Sequence, residues 1–233
     1  MSNRFNNKPN TCKDCAVKSS TVFNLNEQEL EMLCRNSTEI SFREDENIIK
    51  QGSFTQNVVF IKSGIFKIHL TGTHGKDEIL KIDKGPLFVG VSDVFANKIH
   101  SYAVTALSDT TSCFIAYDGY ENLIRNNGSF ALEVMKTLSS DIVEHYRIFV
   151  DKINKQLNAR FADALIYFSR HIYESDTIEI PLTRTELGDY IGTSRETVTR
   201  IIHDFQEDGI IQVDGKSISL LKMDLLHKIS QAG

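Results

Sequence analysis

The stretch LTRTELGDYIGTSRETVTRI, residues 182–201, decides the fold of the C-terminal part of this chain. Thr183 and Glu186 have the spacing of a capping box, which predicts that a helix begins there. Gly192 is suited to end that helix, and Ser194 can cap a second one directly after a tight turn. Two short helices joined by a turn that contains glycine are typical of a helix-turn-helix.

A hairpin is predicted after the second helix, which is expected to span Arg195 to Gln206. The segments Ile210–Val213 and Lys216–Leu220 are rich in β-branched residues and flank the pair Asp214-Gly215, a strong signal for a two-residue turn. A helix-turn-helix followed by such a hairpin is a winged helix. Residues 158–233 are therefore predicted to form a domain that binds double-stranded DNA.

The polar face of the second helix and the turn before it supply the predicted DNA contacts: Thr193, Ser194, Arg195, Glu196, Thr199 and Arg200. Arginine can bind guanine through two hydrogen bonds, and glutamate can accept one from the cytosine amine. The alternative is a solvated helix face on which Glu196 and Arg200 form an i,i+4 ion pair. Inside this motif, we expect base contacts.

The charge balance limits how this domain binds DNA. The 233-residue chain has a formal net charge of −5, and from residue 159 onward it carries eight basic and twelve acidic residues. A net acidic module has weak non-specific affinity for nucleic acid. Specific binding must then depend on a few contacts and on the geometry of a dimer.

A different pattern precedes the helical part of the chain, and residues 23–128 are predicted to form a separate β domain. Short runs of β-branched and aromatic residues recur there, with turn signals between them: Glu39–Phe42, Val58–Ile61, Phe66–Leu70, Glu78–Ile82, Tyr102–Ala106 and Ser112–Ile115. Many short strands at such spacing indicate a sandwich or barrel.

Residues 129–157 are predicted to form one long helix. Its apolar residues are three and four apart: Val134, Leu138, Ile142, Tyr146, Phe149, Ile153 and Leu157. Such a helix would be about 40 Å long at 1.5 Å per residue, which is longer than packing on one small domain requires. We expect the apolar stripe to meet a second copy of itself in a dimer. The alternative is a helix packed only on its own domain.

The start of the chain has a polar, irregular composition, and residues 1–22 are predicted to be a flexible arm. They contain no apolar segment of a signal peptide, and no run of about 18 apolar residues occurs in the chain. We therefore expect a cytoplasmic protein without membrane association. In a reducing compartment the four cysteines are expected to be free thiols or metal ligands.

Two segments resemble one known family. The residues Ser194-Arg195-Glu196-Thr197-Val198-Thr199-Arg200-Ile201 resemble the recognition-helix signature of the Crp/Fnr regulators, and residues 48–64 resemble that family's cyclic-nucleotide-binding jelly roll. The resemblance implies an α+β protein with an N-terminal jelly-roll sensor domain, a long dimerisation helix and a C-terminal winged helix-turn-helix. It also implies a homodimer that acts with RNA polymerase. Arg195, Glu196 and Arg200 would contact half-sites similar to TGTGA.

The sensor departs from the cyclic AMP pattern of that family. Members that bind the nucleotide carry Gly-Glu for the ribose and Arg-Ser or Arg-Thr for the phosphate, and the matching positions here are Gly90-Val91 and His100-Ser101. Valine cannot accept a hydrogen bond from a hydroxyl, and histidine is a poor replacement for a bidentate arginine. These four residues are the candidate effector pocket, for an unidentified small molecule other than cyclic AMP.

The cysteines also resemble part of a family site. Cys12, Cys15 and Cys113 match the positions of iron–sulfur ligands in the oxygen-sensing members, but Thr21 occupies the remaining position and cannot supply a thiolate. Cys34 would replace it only if its helix turned that face inward. We predict no metal or cofactor, and Cys34 and Cys113 are expected to pack in the core. An iron–sulfur cluster or another metal is the alternative.

Three function classes follow from these patterns. The first is a DNA-binding transcription regulator with an organic effector, and the second is the same scaffold acting as a metal or redox sensor. The third is an enzyme that uses Cys12 and Cys15 in thiol chemistry. Only the spacing of these two cysteines supports it. No phosphate loop or nucleophile motif accompanies them, so we predict that the protein is not an enzyme.

Overall fold

A computed structural model describes residues 22, 24–72, 75 and 77–232. Most of the predicted N-terminal arm, including Cys12 and Cys15, therefore lies outside the described residues. The chain divides into two compact units, residues 1–76 with 82–143 and residues 77–81 with 144–233.

The N-terminal part consists of short strands, which the sequence predicts, and three helices. The helices are α1 (Glu27–Arg35), α2 (Val91–Ala96) and α3 (Tyr117–Asn126). The strands are β1 (Ser37–Phe42), β2 (Asn47–Ile49), β3 (Asn57–Ser63), β4 (Ile65–Thr71), β5 (Asp77–Lys84), β6 (Leu87–Val89), β7 (Ala103–Ala106) and β8 (Thr110–Ala116). They form two four-stranded sheets, ordered β1-β8-β3-β6 and β2-β7-β4-β5. Two such sheets enclosing one core confirm the predicted jelly-roll type of domain.

Strand β3 is buried on both faces because it separates two apolar clusters. Val59 and Ile61 pack with Phe66 and Val104 of the other sheet, whereas Val58 and Phe60 belong to a second cluster that includes residues of α1 and α3. Side chains of a strand alternate between its faces, so a run buried at every position requires a layer on each side. The unbroken apolar run in the sequence reflects this central position.

Helix α1 begins where its capping residues predict. Asn26 accepts a hydrogen bond from the backbone N–H of Glu29 at 3.0 Å, and the Glu29 carboxylate accepts one from the Asn26 N–H at 2.8 Å. The helix buries Leu30 and Leu33, while Cys34 is only half-buried. The capping box therefore positions an amphipathic helix on the outer face of the sheet.

The long helix, α4, spans Gly128–Asn154 and ends three residues before the predicted boundary at 157. A new helix, α5, begins at Leu157, because the backbone of Gln156 is extended (φ −67°, ψ 158°) and acts as its N-cap. Neither proline nor glycine marks this break in the sequence. The helical period continues across it, which is why a single helix was expected.

The apolar stripe of α4 differs from the predicted one. Val134 and Leu138 pack against the core cluster of the N-terminal unit. The exposed apolar positions instead are Val143, Val150 and a row of six residues that are 51% to 69% exposed: Leu132, Met135, Ile142, Tyr146, Phe149 and Ile153. Together with Ser139, these residues follow alternating spacings of three and four, the pattern of a coiled-coil seam. One helix thus has two apolar faces, which a single periodicity could not separate.

The C-terminal part contains α5 (Leu157–Tyr167), a π-helical segment (Phe168–Tyr173), β9 (Thr177–Glu179), α6 (Arg184–Ile191), α7 (Arg195–Glu207), β10 (Ile211–Asp214), β11 (Ser217–Leu220) and α8 (Met223–Gln231). The three strands form one antiparallel sheet, ordered β10-β11-β9. Within the described ranges, no helix is both long enough and apolar enough to cross a membrane.

Candidate DNA-binding site and sensor pocket

The first helix of the predicted helix-turn-helix, α6, is held by a complete capping box. Thr183 accepts a hydrogen bond from the Glu186 N–H at 3.2 Å, and the Glu186 carboxylate accepts one from the Thr183 N–H at 2.9 Å. Gly192 ends the helix in the left-handed conformation, with φ at 76°. Both ends of α6 therefore follow from residues that the sequence identifies.

The turn between α6 and α7 is tight because two glycines leave room for neighbouring atoms. A Cβ added to Gly188 would lie 2.8 Å from the carbonyl oxygen of Thr193, a backbone atom that cannot move aside. That contact exists because the Thr193 N–H donates to the Gly188 carbonyl at 2.8 Å. Thr193 is half-buried in this turn. The glycine at 188 thus brings the start of α7 against α6.

Helix α7 separates its apolar and polar residues onto two faces. Val198, Ile201, Ile202 and Phe205 are buried, and Phe205 makes an edge-to-face contact with Phe161 of α5, their ring centroids 5.3 Å apart. The predicted contact residues Ser194, Arg195, Glu196, Thr199 and Arg200 are all exposed. The buried face fixes the helix, so the polar face is free to meet a partner.

The N-terminal end of α7 carries one ionised acid and unpaired arginines. Hydrogen bonds from its own backbone N–H and from the Ser194 hydroxyl lower the pKa of Glu196. Ser194 also caps the helix by accepting from the Thr197 N–H at 3.2 Å. Among the described residues, neither Arg195 nor Arg200 forms an ion pair, so the alternative pairing of Glu196 with Arg200 is absent. The guanidinium groups therefore remain available to base edges or phosphates.

The wing differs from its predicted turn by one residue. Asp214 pairs with Ser217, so the two loop residues are Gly215 and Lys216 instead of Asp214 and Gly215. Gly215 has φ at 60°, whereas Lys216 is not among the residues with positive φ. A positive φ at the first loop position only is the geometry of a type II′ turn, which favours glycine there. The wing therefore presents a lysine at its tip.

The four candidate pocket residues of the sensor come together around the short helix α2. Gly90 precedes it with φ at 77°, and a Cβ there would lie 3.3 Å from the His100 ring. Val91 and His100 are both 6% exposed, so neither side chain faces solvent. Ser101 donates a hydrogen bond to a carboxylate at 2.5 Å. Sequence matching thus brought together residues that are neighbours in space.

That carboxylate is Asp93, a pocket residue that sequence analysis missed. It is 5% exposed, accepts from the Ser101 hydroxyl, and its other oxygen lies 3.4 Å from Nδ1 of His100. Tyr102 was also missed: its hydroxyl accepts from the Gly90 N–H at 2.8 Å, and burial raises its pKa to about 12. The polar groups here satisfy one another. The signal available in the sequence was an acidic residue, Asp93, only two positions after Val91.

The two described cysteines lie on different elements. Cys34 is on α1, and Cys113 is on β8, where it is paired in register with Glu39 and Phe60. Both are half-buried, whereas core burial was expected. Within the part of the chain that the structure describes, no group of three metal-ligating side chains occurs.

Two family models match the chain in the order of its two parts. The model of the cyclic nucleotide-binding domain matches residues 39–127, and that of the Crp-like helix-turn-helix domain matches residues 159–229. The first range covers the two β-sheets, and the second covers α5 to α8 with the three-stranded sheet.

Two curated relatives match the chain along most of their length. The chain is 23% identical to the transcriptional activator protein FnrA of Stutzerimonas stutzeri, over 90% of this chain and 88% of that protein. It is 25% identical to the fumarate and nitrate reduction regulatory protein of Escherichia coli strain K12, over 94% of this chain and 90% of that protein.

A solved structure shares the fold. FixK2 from Bradyrhizobium japonicum superposes with a TM-score of 0.76 at 21% identity, covering 83% of this chain and 96% of that one. Its likeness concerns the architecture alone. The jelly roll followed by the capped helix-turn-helix, both matched by family models and by relatives along most of their length, show that the chain belongs to the Crp/Fnr family of DNA-binding transcription regulators.

Proposed function

We propose that this regulator is a homodimer that recognises a two-fold symmetric DNA site through α7, works with RNA polymerase, and responds to a small effector other than cyclic AMP. One observation carries the DNA part. The exposed face of α7 holds Arg195, Glu196 and Arg200 on a helix whose opposite face is fixed by packing. In a helix-turn-helix, the N-terminal residues of the second helix contact base edges in the major groove.

The test of base contact is a selection of binding sites from random DNA at fixed salt. The wild type should select two half-sites about 10 base pairs apart, centre to centre. The Arg195→Ala variant should lose preference at one position of each half-site, because a bidentate arginine–guanine contact contributes about 1–3 kcal/mol of discrimination. If both proteins select the same consensus with equal information, Arg195 does not contact bases.

The dimer is proposed from the exposed seam of α4. Leu132, Met135, Ile142, Tyr146, Phe149 and Ile153 lie at heptad spacing along one helix, and each is at least half exposed in the single chain. A monomer that left this stripe in water would lose the free energy of burying it, about 25 cal/mol per Å². A second copy of the same helix offers an identical, complementary stripe.

Charges in the seam test this interface. The double variant Ile142→Glu, Phe149→Glu should sediment as a monomer, because pairing would bury two carboxylates from each chain. The matched control Ser140→Glu, Asn154→Glu adds the same charge at exposed positions of α4 outside the seam. It should remain a dimer. An intact dimer in the first variant would place the interface elsewhere.

The effector is proposed not to be cyclic AMP. The position of the ribose partner is Val91, and His100 replaces the expected arginine. In addition, the buried Asp93 carboxylate already holds Ser101, so a phosphate placed there would meet a negative charge. Calorimetry should detect no cyclic AMP binding. Micromolar affinity, which requires about 8 kcal/mol, would overturn this assignment.

We also propose that the sensor needs no iron–sulfur cluster. Thr21 occupies the position of one expected ligand and cannot supply a thiolate. Protein purified without oxygen should have a featureless visible spectrum and no stoichiometric iron or sulfide. Iron and sulfide in cluster proportions would establish the alternative redox sensor.

A further inference from the structure

The C-terminal unit contains a groove, lined by several cationic side chains, to which the proposed function assigns no role. It has a volume of about 490 Å³, within the usual range for small-molecule sites. All sixteen lining residues belong to 77–81 or 144–233, and they come from α4, α5, α6, α8, β5, the π-helical segment and the connection between α4 and α5. Five of them are lysine or arginine and three are aspartate or glutamate.

The three acids of the groove are engaged by two of its cations. Glu144 pairs with Lys81 at 3.1 Å. Asp163 pairs with Lys155 at 2.8 Å and accepts from the Ser230 hydroxyl at 2.5 Å, and Asp151 lies 3.4 Å from Lys155. These contacts leave the remaining cations of the groove without an acid of their own.

Those remaining cations are Arg147, Lys152 and Arg160, which form no ion pair with any described residue. The Lys152 ammonium donates only to the backbone carbonyl of Ile79, at 3.3 Å. The Arg160 guanidinium donates through Nη1 to the backbone carbonyl of Lys152, at 3.2 Å. Its Nε is buried and has no acceptor in the described part of the chain. An unsatisfied buried donor on a cation costs free energy, which a bound anion would recover.

The two inner cations also repel each other. Burial lowers the pKa of Lys152, the positive charge of Arg160 lowers it further, and Glu78 acts in the opposite direction. An anion between Lys152 and Arg160 would relieve both the desolvation and the repulsion. Arg147 is exposed at the rim of the groove and adds a third positive charge.

From these contacts we infer that the groove is a binding site for a small phosphate-bearing molecule, with the phosphate held between Arg160 and Lys152. A phosphate oxygen pair matches the fork of a guanidinium, and a lysine ammonium binds phosphate as a point charge. Three cations without acidic partners suit an anion of two or more charges better than a single carboxylate. Tyr167 and His171, whose rings stack at 5.1 Å, form part of the wall beside it.

The position of Arg160 connects this site with the helix-turn-helix. A Cβ on Gly192, the glycine that ends α6, would lie 2.9 Å from Nη1 of Arg160. The guanidinium that would hold the anion therefore borders the turn before α7. A side chain at 192 would require the guanidinium to shift away from this turn.

Calorimetry of the full-length protein with inorganic pyrophosphate tests the inference at physiological salt. The wild type should bind, and Arg160→Gln and Lys152→Gln should each bind roughly ten-fold more weakly, as expected for one charged hydrogen bond. The matched control Arg170→Gln removes an exposed arginine that pairs with Asp176 outside the groove. It should bind like the wild type. Thermal melting of each variant establishes that it is folded.

Other arms separate the possible sources of binding. Arg195→Ala should retain pyrophosphate binding, because Arg195 lies on α7 and outside the groove. If this variant lost pyrophosphate binding, the anion would bind at α7 and the proposal would be overturned. Equal weakening in Arg170→Gln would show bulk charge attraction only, and no binding by the wild type would also overturn it. If citrate binds as well as pyrophosphate, the groove does not recognise phosphate. None of these results depends on DNA binding by α7.

Discussion

The polar face of α7 and the polar residues around α2 differ in whether their side chains are already paired. On α7, Arg195 and Arg200 are exposed and form no ion pair with the described residues. Around α2, the polar groups bind one another: Ser101 donates to the buried Asp93, the buried His100 lies beside the same carboxylate, and Gly90 donates to Tyr102.

The polar groups of α7 can therefore bind a partner, whereas those around α2 already bind one another. Polar groups that must bind DNA can stay in water at little cost until the partner arrives, whereas buried polar groups must be satisfied at all times. The Asp93 carboxylate satisfies its neighbours internally and adds negative charge where the family resemblance places a phosphate. The polar face of α7 is thus open to a ligand, while the polar groups around α2 are already engaged with one another.

The largest expected effect tests the polar groups around α2. Asp93→Ala should destabilise the N-terminal unit by about 3 kcal/mol, because it leaves the buried His100 ring without its acceptor, whereas the exposed Ser101 hydroxyl can bind water. Hydrogen exchange of the β3 amides measures this loss. The matched control, Glu196→Ala, removes an exposed acid from α7 and should leave the same amides unchanged. Equal protection in both variants would contradict the buried network.

The next effect tests the support beneath the polar face of α7. Gly188→Ala should destabilise the helix-turn-helix by about 2 kcal/mol, since the new methyl group would press on the Thr193 carbonyl. Gly128→Ala is the control, because a Cβ there would have no atom within 4 Å. Exchange of the α6 and α7 amides should rise in the first variant alone. If exchange of these amides rises equally in Gly128→Ala, the close contact between residue 188 and the Thr193 carbonyl is not the cause.

A smaller effect concerns the arginine fork. Arg200→Lys keeps the charge but loses the bidentate geometry, so affinity for the selected site should fall by about 1 kcal/mol, roughly five-fold. Affinity for random duplex should not change. Fluorescence anisotropy at fixed salt measures both, with Arg170→Lys as the control. If Arg200→Lys lowers the affinity for the selected site and for random duplex equally, Arg200 contacts only phosphate.

The smallest effect is the titration of Glu196. Its pKa is lowered by its own backbone N–H and by the Ser194 hydroxyl. The stabilisation from these bonds is present at neutral pH and is lost as the pH falls through the lowered pKa. The side-chain carboxyl carbon, followed by NMR, should titrate below an ordinary glutamate. Ser194→Ala should move the midpoint upward; an unchanged midpoint would exclude the hydroxyl as a cause.

Local signals in the sequence predicted the elements that carry the DNA-binding site. The capping box at Thr183 and the glycine at 192 act within one helical turn, so their effect can be recognised without a fold. The turn of the wing was wrong by one residue, because Asp-Gly pairs are compatible with two registers. Strands β2 and β6 have three residues each and are too short to show a periodicity.

The sequence by itself determined the family, the order of the two domains and the polar face of α7, since these depend on spacing along the chain. Only the tertiary structure decided which face of α4 remains exposed. Val134 and Leu138 share a helical period with Ile142, yet they pack on the N-terminal core. It also decided the fate of Asp93. Whether a charged side chain is a free ligand or a buried partner depends on neighbours distant in sequence, and burial then sets the cost of leaving it unpaired.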